Sequence, residues 1–261
     1  MSLKNIRKLI KSANNELSIP EMFVNDVEMA IKKLEIEDNR KPSKSYKPSS
    51  LKCIRQMYFQ KIGAELDPAD PSPNLVGICE SGTDRHERLQ NVISQMQRLG
   101  FDIEWLDVGE YIKDNNIPDI EIIKKEGFET KLYHKKLKLR FLCDGIIKYK
   151  GKLYVLEIKT ESCYKFLGRE DVAIEHKNQA AAYSLTLLIG DVMFLYENRN
   201  DCKKLAFVLE VTDVMRERLV KKLITDCEKY VKNKCVPPKP KDISNKVCQY
   251  CDYQILCSEN K

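Results

Sequence analysis

Two carboxylates and a lysine interrupt a segment that otherwise has the pattern of an apolar β-hairpin. Residues 141–160 read FLCDGIIKYKGKLYVLEIKT, with Asp144 in the first apolar run and Glu157 and Lys159 in the second. A two-residue turn that includes Gly151 would set Asp144 opposite Glu157, with Cβ atoms ~5 Å apart. Like charges repel at that spacing, and carboxylates bind divalent cations. The sequence therefore predicts a metal site, with Lys159 on the same face of its strand as Glu157.

The alternative interpretation of these charges is a solvent-facing ion pair on a half-buried sheet. The residues next to Glu157 are apolar at successive positions, as in LYVLEI, so both faces of the strand are apolar there. This pattern is typical of a strand that is covered on both faces. A charge buried in such a strand needs a partner or a metal ion, so we favour the metal site.

The composition permits one large domain or two small ones. Of the 261 residues, 43% are hydrophobic, which is enough for a buried core. We find no membrane-spanning run and no signal-peptide pattern, so we expect a cytoplasmic protein, either bacterial or phage-encoded in a host cytoplasm. The net charge of +6 is compatible with a nucleic-acid partner. In a reducing compartment the ten cysteines are interpreted as apolar residues or metal ligands rather than disulfides.

Helix and strand patterns alternate along the chain, which predicts the α/β or α+β class. A helical extension is predicted in residues 1–45, with apolar positions that include Ile6, Leu9 and Ile10, followed by a domain at 46–261. Within this domain, the hairpin and the runs DVMFLYE and KLAFVLEV predict strands. The remaining periodic segments predict helices at about 49–63, 81–100, 169–189 and 212–232. Residues 101–136 receive no assignment.

The acidic pattern D-G followed by E-I-K resembles the PD-(D/E)XK nuclease superfamily, although Cys143 replaces the proline before Asp144. Two further motifs resemble the RecB-like branch of that superfamily. They are G-x-x-x-H ending at His86 and Q-x-x-x-Y from Gln179 to Tyr183. The resemblance implies that His86 binds metal and that the Gln179–Tyr183 pair holds DNA or the active-site lysine. The alternatives are a satisfied core histidine and an ordinary amphipathic helix.

The resemblance also implies a fold, a metal and a reaction. The fold would be a restriction-endonuclease-like core, with a central mixed sheet flanked by helices. One or two Mg²⁺ or Mn²⁺ ions would be bound by His86, Asp144, Glu157 and the carbonyl of Ile158, and the imidazole favours Mn²⁺. The reaction would be hydrolysis of phosphodiester bonds at DNA ends, single-stranded or duplex, in replication, recombination or repair. The alternatives are a non-catalytic DNA-binding subunit and an endonuclease.

The C-terminal cysteines have the spacing of metal ligands. Cys248, Cys251 and Cys257 form C-x2-C-x5-C, and a four-coordinate site needs a fourth ligand, for which Cys53 is the candidate. The arrangement resembles the iron–sulfur nucleases of the RecB-like branch, as in AddB and the CRISPR-adaptation exonucleases. This implies a [4Fe-4S] cluster that clamps the N- and C-terminal segments of the domain together. A zinc ion in the same four-cysteine site is the alternative.

Basic residues near the acidic motif are candidates for contact with the DNA backbone. Arg85 and Arg88 flank His86, and the run KLYHKKLKLR leads into the predicted strand that carries Asp144. The candidates in that run are Lys135, Lys136, Lys138 and Arg140. The alternative is that these side chains are simply solvated. We also expect recombination or replication proteins as partners, and no membrane.

Overall fold

The computed structural model describes residues 18–37, 41–68, 72–241, 243 and 245–260, and its chain divides into two compact units. One unit comprises Met1–Lys41 and Pro68–Ser81, and the other comprises Pro42–Asp67 and Gly82–Lys261. The first unit contains helix α1 (Ile19–Glu37), which has no buried residue. The predicted apolar positions Ile6, Leu9 and Ile10 lie outside the described residues, and the domain boundary near residue 45 stays a prediction.

Two helices precede the sheets. A 3₁₀ turn at Pro48–Ser50 is followed by α2 (Ile54–Ile62), which ends at Gly63 in the left-handed conformation, with φ of 69°. The helix predicted at 49–63 therefore begins later than expected. Helix α3 (Pro73–Gln95) begins earlier than predicted, because a proline is well tolerated in the first turn of a helix.

A five-stranded mixed sheet forms the centre of the second unit, with strand order β1-β5-β6-β7-β8. Strands β6 and β7 are parallel, and the other neighbours are antiparallel. The strands are β1 (Ile103–Leu106), β5 (Gly145–Tyr149), β6 (Lys152–Glu161), β7 (Asp191–Asn198) and β8 (Lys204–Glu210). Helices flank this sheet, so the predicted class, a central mixed sheet with flanking helices, is confirmed.

The hairpin between β5 and β6 has the predicted register. Tyr149 pairs with Lys152, and the ladder continues to Gly145 opposite Leu156. Lys150 and Gly151 form the turn with φ of 48° and 77°. Positive φ at both turn positions matches the right-handed twist of the strands, which is why this turn fixes the register.

A second, three-stranded antiparallel sheet takes two strands from the segment that received no assignment and its third strand from the first run of the predicted hairpin. It consists of β2 (Ile120–Glu126), β3 (Glu129–His134) and β4 (Leu139–Cys143), and a short helix α4 (Val108–Asp114) precedes it. Strand β2 contains a register irregularity between Ile122 and Lys124, which weakens the alternation of its sequence.

The helices after β6 complete the unit. The helix predicted at 169–189 is present but shorter, as α6 (Ile174–Leu187), and a short helix that was not predicted, α5 (Cys163–Leu167), precedes it. The predicted C-terminal helix begins as a π-helix at Met215–Lys221 and continues as α7 (Lys222–Lys232). Two short helices follow, α8 (Asn245–Gln249) and α9 (Gln254–Glu259).

The main hydrophobic core contains buried residues of α2, both sheets and α6, among them Phe59, Leu132, Ala181 and Phe194. A smaller cluster packs Leu89 of α3 against the five-stranded sheet. Among the described residues, no helix is both long enough and apolar enough to cross a membrane.

Candidate active site

Asp144 joins the two sheets and has a carboxylate on either side. It follows β4 of the three-stranded sheet and precedes β5 of the five-stranded sheet. Extending the β5–β6 register by one pair sets Asp144 opposite Glu157, and extending the β3–β4 register by one pair sets it opposite Glu129. The backbone N–H of Ile158 donates to Asp144 Oδ2 at 2.7 Å, which fixes the carboxylate against β6.

Glu157 is buried, with one bonded oxygen and one that has no partner. Its Oε1 accepts a hydrogen bond from Gln179 Nε2 at 2.6 Å and pairs with the Lys159 ammonium. Its Oε2 is buried without a hydrogen-bond partner among the described residues. An unpartnered buried carboxylate oxygen is costly, so this geometry fits a cation that would complete the site.

The electrostatics indicate a surplus of negative charge. Burial raises the pKa of Glu157 to about 7, with a further contribution from Asp144, although Lys159 acts in the opposite direction. Burial acts to lower the pKa of Lys159, but the Glu157 and Asp144 carboxylates outweigh it and the pKa is raised. A divalent cation would favour the ionised form of both acids.

His86 and Glu129 complete a compact set of potential ligands with Asp144. One ligand atom from each of these three side chains lies within 4.8 Å of the other two. His86 Nδ1 is 3.7 Å from Asp144 Oδ1, and Gln90 Nε2, one turn further along α3, donates to the Asp144 carbonyl at 2.8 Å. Burial acts to lower the pKa of His86, but Asp144 raises it overall. Carboxylates with an imidazole suit Mg²⁺ or Mn²⁺.

Glu129 is the residue that the sequence analysis missed. It begins β3, within the segment that received no assignment. Its signal was the hairpin that β3 forms with β4, because the register of that hairpin sets Glu129 opposite Asp144. Recognising a turn in HKKLK would have been enough to find it.

Gln179 and Tyr183 act on Glu157 from the facing helix, α6. The Gln179 amide donates to Glu157 and also to the Tyr183 hydroxyl, at 2.7 Å. The buried Tyr183 ring packs against Phe141 of β4, with ring centroids 5.6 Å apart. The pair therefore links the core of the unit to the orientation of one carboxylate.

The arginines predicted to bind DNA have a structural partner. Arg85 Nη1 and Arg88 Nη2 bind the Glu197 carboxylate, at 3.0 and 2.6 Å. Glu197 lies near the end of β7 and has no exposed side-chain surface. Both guanidinium groups thus serve to attach α3 to the sheet, and their contact with DNA stays a prediction.

The basic residues before β4 also pair with acids. They occupy the turn and the start of the β3–β4 hairpin, at the end of β4 away from Asp144. The Arg140 Nε is buried without a hydrogen-bond partner among the described residues. The ion pairs are Lys135 with Glu121 at 3.8 Å, Lys136 with Asp119 at 2.7 Å, and Lys138 with Glu228 at 3.1 Å. Their role in DNA binding also stays a prediction.

The four cysteines predicted as ligands line one cavity of 1210 Å³. Cys53 lies at the start of α2, and Cys248, Cys251 and Cys257 come from the region of α8 and α9. Burial raises the pKa of Cys53, and the neighbouring Cys257 and Cys248 raise it further. Burial raises the pKa of Cys251 to about 11. Over the part of the chain that the structure describes, no three of these sulfurs lie within 4.8 Å of one another.

Comparison with known proteins gives likeness of fold. No family model and no curated protein matches the sequence. Among solved structures, the crystal structure of SSO0001 has 17% sequence identity and a TM-score of 0.50, and the match covers 91% of this chain and 98% of that chain. The alkaline exonuclease LHK-Exo from Laribacter hongkongensis has 12% identity and a TM-score of 0.44, over 74% of this chain and 92% of that chain. Its complex with dAMP has 11% identity and a TM-score of 0.42, over 73% and 91%.

Proposed function

We propose that the chain is a divalent-metal-dependent deoxyribonuclease of the PD-(D/E)XK type. The observation that supports it most is the buried Glu157 carboxylate, which has one oxygen without a partner and lies beside Asp144 and Lys159. A fold rarely buries two acids beside one ammonium unless a cation completes the charge.

Each side chain of the site has a role in this proposal. The cation would be held by His86, Glu129, Asp144, Glu157 and the carbonyl of Ile158. When bound, it would supply the positive charge that activates water and stabilises charge on the phosphate. The Lys159 ammonium, held by Glu157, would orient the attacking water and offset negative charge in the transition state. Gln179 would keep Glu157 in its binding orientation.

We further propose that the enzyme is an exonuclease that acts on single-stranded ends in DNA replication, recombination or repair. The resemblance of the His86 and Gln179–Tyr183 motifs to the RecB-like branch supports this narrower proposal. It implies a cytoplasmic enzyme, bacterial or phage-encoded, that works with other recombination or replication proteins.

The test is cleavage of end-labelled linear and circular single-stranded DNA in the presence of Mn²⁺. We expect the linear strand to be degraded and the circle to stay intact. Asp144→Asn and Glu157→Gln should each lower the rate by at least ~10³-fold, because each removes a charge that the site needs. Glu104→Gln, which alters an exposed acid on β1, is the matched control and should keep full activity.

Three outcomes would contradict parts of this proposal. Cleavage of the circle would indicate an endonuclease. Binding of both substrates without cleavage would indicate a non-catalytic DNA-binding protein. Full activity in both site variants would place the active site elsewhere.

We also propose that Cys53, Cys248, Cys251 and Cys257 bind a [4Fe-4S] cluster. Their shared cavity supports a metal site, and the resemblance of the C-x2-C-x5-C spacing to the iron–sulfur nucleases of the RecB-like branch favours a cluster over zinc. Arg55 Nη1 donates a hydrogen bond to Cys257 Sγ at 3.5 Å, so a guanidinium group contacts one of the four sulfurs.

Metal and sulfide analysis of anaerobically purified protein tests the cluster. We expect iron, acid-labile sulfide and broad visible absorbance, all of which Cys53→Ser should lose. Cys163→Ser, a cysteine outside the cavity, should keep them. If the protein is colourless and contains one zinc ion per chain, the four cysteines bind zinc and the cluster proposal is wrong.

A further inference from the structure

Helix α5 presents an exposed apolar face directly after the strand that carries Glu157 and Lys159. Tyr164 is 90% exposed and Leu167 is 75% exposed, and they share one face of the helix at a spacing of three residues. Phe166 is buried, so the helix is anchored on its other side. Exposed apolar side chains that share one helix face form a patch of the kind that interaction sites present.

The position of this face connects it to the candidate active site. Lys159 lies near the end of β6, and α5 begins soon after the strand ends at Glu161. Even a fully extended chain between Lys159 and Tyr164 would span at most ~18 Å. The apolar face therefore lies within the length of a few nucleotides from the Lys159 backbone.

Two lysines that form no ion pair with any described residue lie in the same region. Lys165 is on α5 and Lys52 precedes α2, and neither forms an ion pair with a described residue. Both are close enough to His176 of α6 for their charges to act on it. The pKa of His176 is lowered to about 3. Burial is the largest cause, and the positive charges of four residues contribute, namely Lys159, Arg169, Lys165 and Lys52. These cations differ from Arg85 and Arg88, which bind Glu197.

We propose that Tyr164 and Leu167 form a stacking surface for the unpaired bases of a single nucleic-acid strand, whose phosphates bind Lys165 and Lys52. This proposal rests on the proposed nuclease function and names the residues that would recognise its single-stranded substrate, because the bases of an intact duplex are not available to stack on a side chain. Proteins that bind single strands combine aromatic platforms with cations along the backbone, and both lie here beside the candidate site. The positive charges of Lys165 and Lys52 would repel a basic ligand and attract a polyanion such as a nucleic-acid strand.

Binding is measured by the fluorescence anisotropy of a labelled oligothymidylate, with full-length protein in which Glu157→Gln prevents cleavage. Tyr164→Ala should weaken binding by about 5- to 150-fold, the range expected for the loss of one base stack. Tyr164→Phe keeps the ring and should restore most of the affinity. The matched control is Phe101→Ala, an aromatic that is 56% exposed and adjoins the β5–β6 turn at the other end of β6.

An abasic strand of the same length separates stacking from charge. It keeps the phosphates and lacks the bases, so Tyr164→Ala should bind it as tightly as the parent protein does. Lys165→Ala should weaken binding to both strands and lower the slope of log affinity against log salt by ~0.7. Lys148→Ala, an exposed lysine on β5, is the control for that change.

The inference is overturned if Tyr164→Ala binds oligothymidylate as tightly as the parent, or loses the same affinity for the abasic strand. An equal loss for blunt duplex would also overturn it. A partner protein would then be the better occupant. These results are separable from the nuclease test, since the wild-type chain can degrade DNA while Tyr164 proves irrelevant. The reverse result is that Tyr164 contributes to binding of the single strand while the wild-type chain cleaves no DNA. It would support the stacking surface and contradict the proposed nuclease function.

Discussion

At the scale of single residues, the surroundings of Glu157 matter more than its identity as an acid. The Gln179 amide and the Lys159 ammonium both engage Oε1, which leaves Oε2 turned away from every described hydrogen-bond donor. The Gln179 amide is a neutral partner, so it fixes the rotamer of Glu157 and leaves the negative charge of the carboxylate unchanged. Such supporting groups commonly change metal affinity or activity by ~10–100-fold when removed.

Gln179→Ala should therefore lower cleavage by ~10–100-fold and raise the Mn²⁺ concentration required for half-maximal rate. Tyr183→Phe, which removes only the hydroxyl that accepts from Gln179, should have a smaller effect in the same direction. The measurement is the cleavage rate across a Mn²⁺ titration, with Gln97→Ala at an exposed position in the turn after α3 as control. An unchanged Mn²⁺ requirement in Gln179→Ala would argue against this positioning role.

At the scale of elements, the site depends on strand register, and only part of that register could be read from the sequence. The β5–β6 hairpin was predictable because Lys150 and Gly151 form a short turn between two clear apolar runs. Glu129 was not found, because the alternation of β2 and β3 is weak and β2 contains an irregularity. The partner of Arg85 and Arg88 could not be predicted either, because Glu197 is distant in sequence and becomes their neighbour only when α3 packs on the sheet.

The packing of β1 on β5 has little tolerance at Gly145. A Cβ at this position would come within 2.5 Å of Trp105 Cη2 on the neighbouring strand. Gly145→Ala should destabilise the protein by ~1–3 kcal/mol and lower cleavage, because relief of the clash moves Asp144, the preceding residue. Urea unfolding and the cleavage assay measure the two effects. Gly190→Ala, where a Cβ would meet no atom within 4 Å, should change neither by a comparable amount.

The attachment of α3 to the sheet should depend on pH through Glu197. Burial acts to raise the pKa of Glu197, but hydrogen bonds from Arg88, Arg85 and Lys204 outweigh it and lower the pKa below its ordinary value of 4.5. A lowered folded-state pKa stabilises the protein above pH 4.5, and that stabilisation is lost as the pH falls through the folded-state value.

Glu197→Gln should thus reduce the free energy of unfolding by ~1–2 kcal/mol at neutral pH, a range set by the partial exposure of the two arginines. The difference from wild type should shrink in acid. Urea unfolding at several pH values checks this. A difference that stays constant from neutral pH to well below 4.5 would contradict the assignment of the shift to Glu197.

At the scale of the whole molecule, the two ends of the second unit meet around the cysteine cavity. Asp67, which follows α2, accepts hydrogen bonds from the backbone N–H of Ile255 at 2.7 Å and of Leu256 at 3.4 Å. Its own N–H donates to the Asp252 carbonyl at 2.8 Å. The segment with α9 is therefore held by backbone and side-chain hydrogen bonds to the segment that carries Cys53.

Asp67→Ala should cost ~1 kcal/mol, the usual effect of removing an acceptor from exposed N–H groups at a helix start. It should also speed proteolysis near the C-terminal cysteines. Asp67→Asn keeps an acceptor and should behave more like wild type. Equal loss of stability in both variants would indicate that charge, rather than hydrogen bonding, holds this contact.

The position of Asp144 between two sheets has a consequence for a newly made chain. Glu129 arrives with the three-stranded sheet and Glu157 with the five-stranded one, so neither sheet alone assembles the acids that a cation would need. Under the proposed nuclease function, a chain in which one sheet has formed and the other has not would be unable to cleave nucleic acid. The complete set of acids would form only when both sheets have folded.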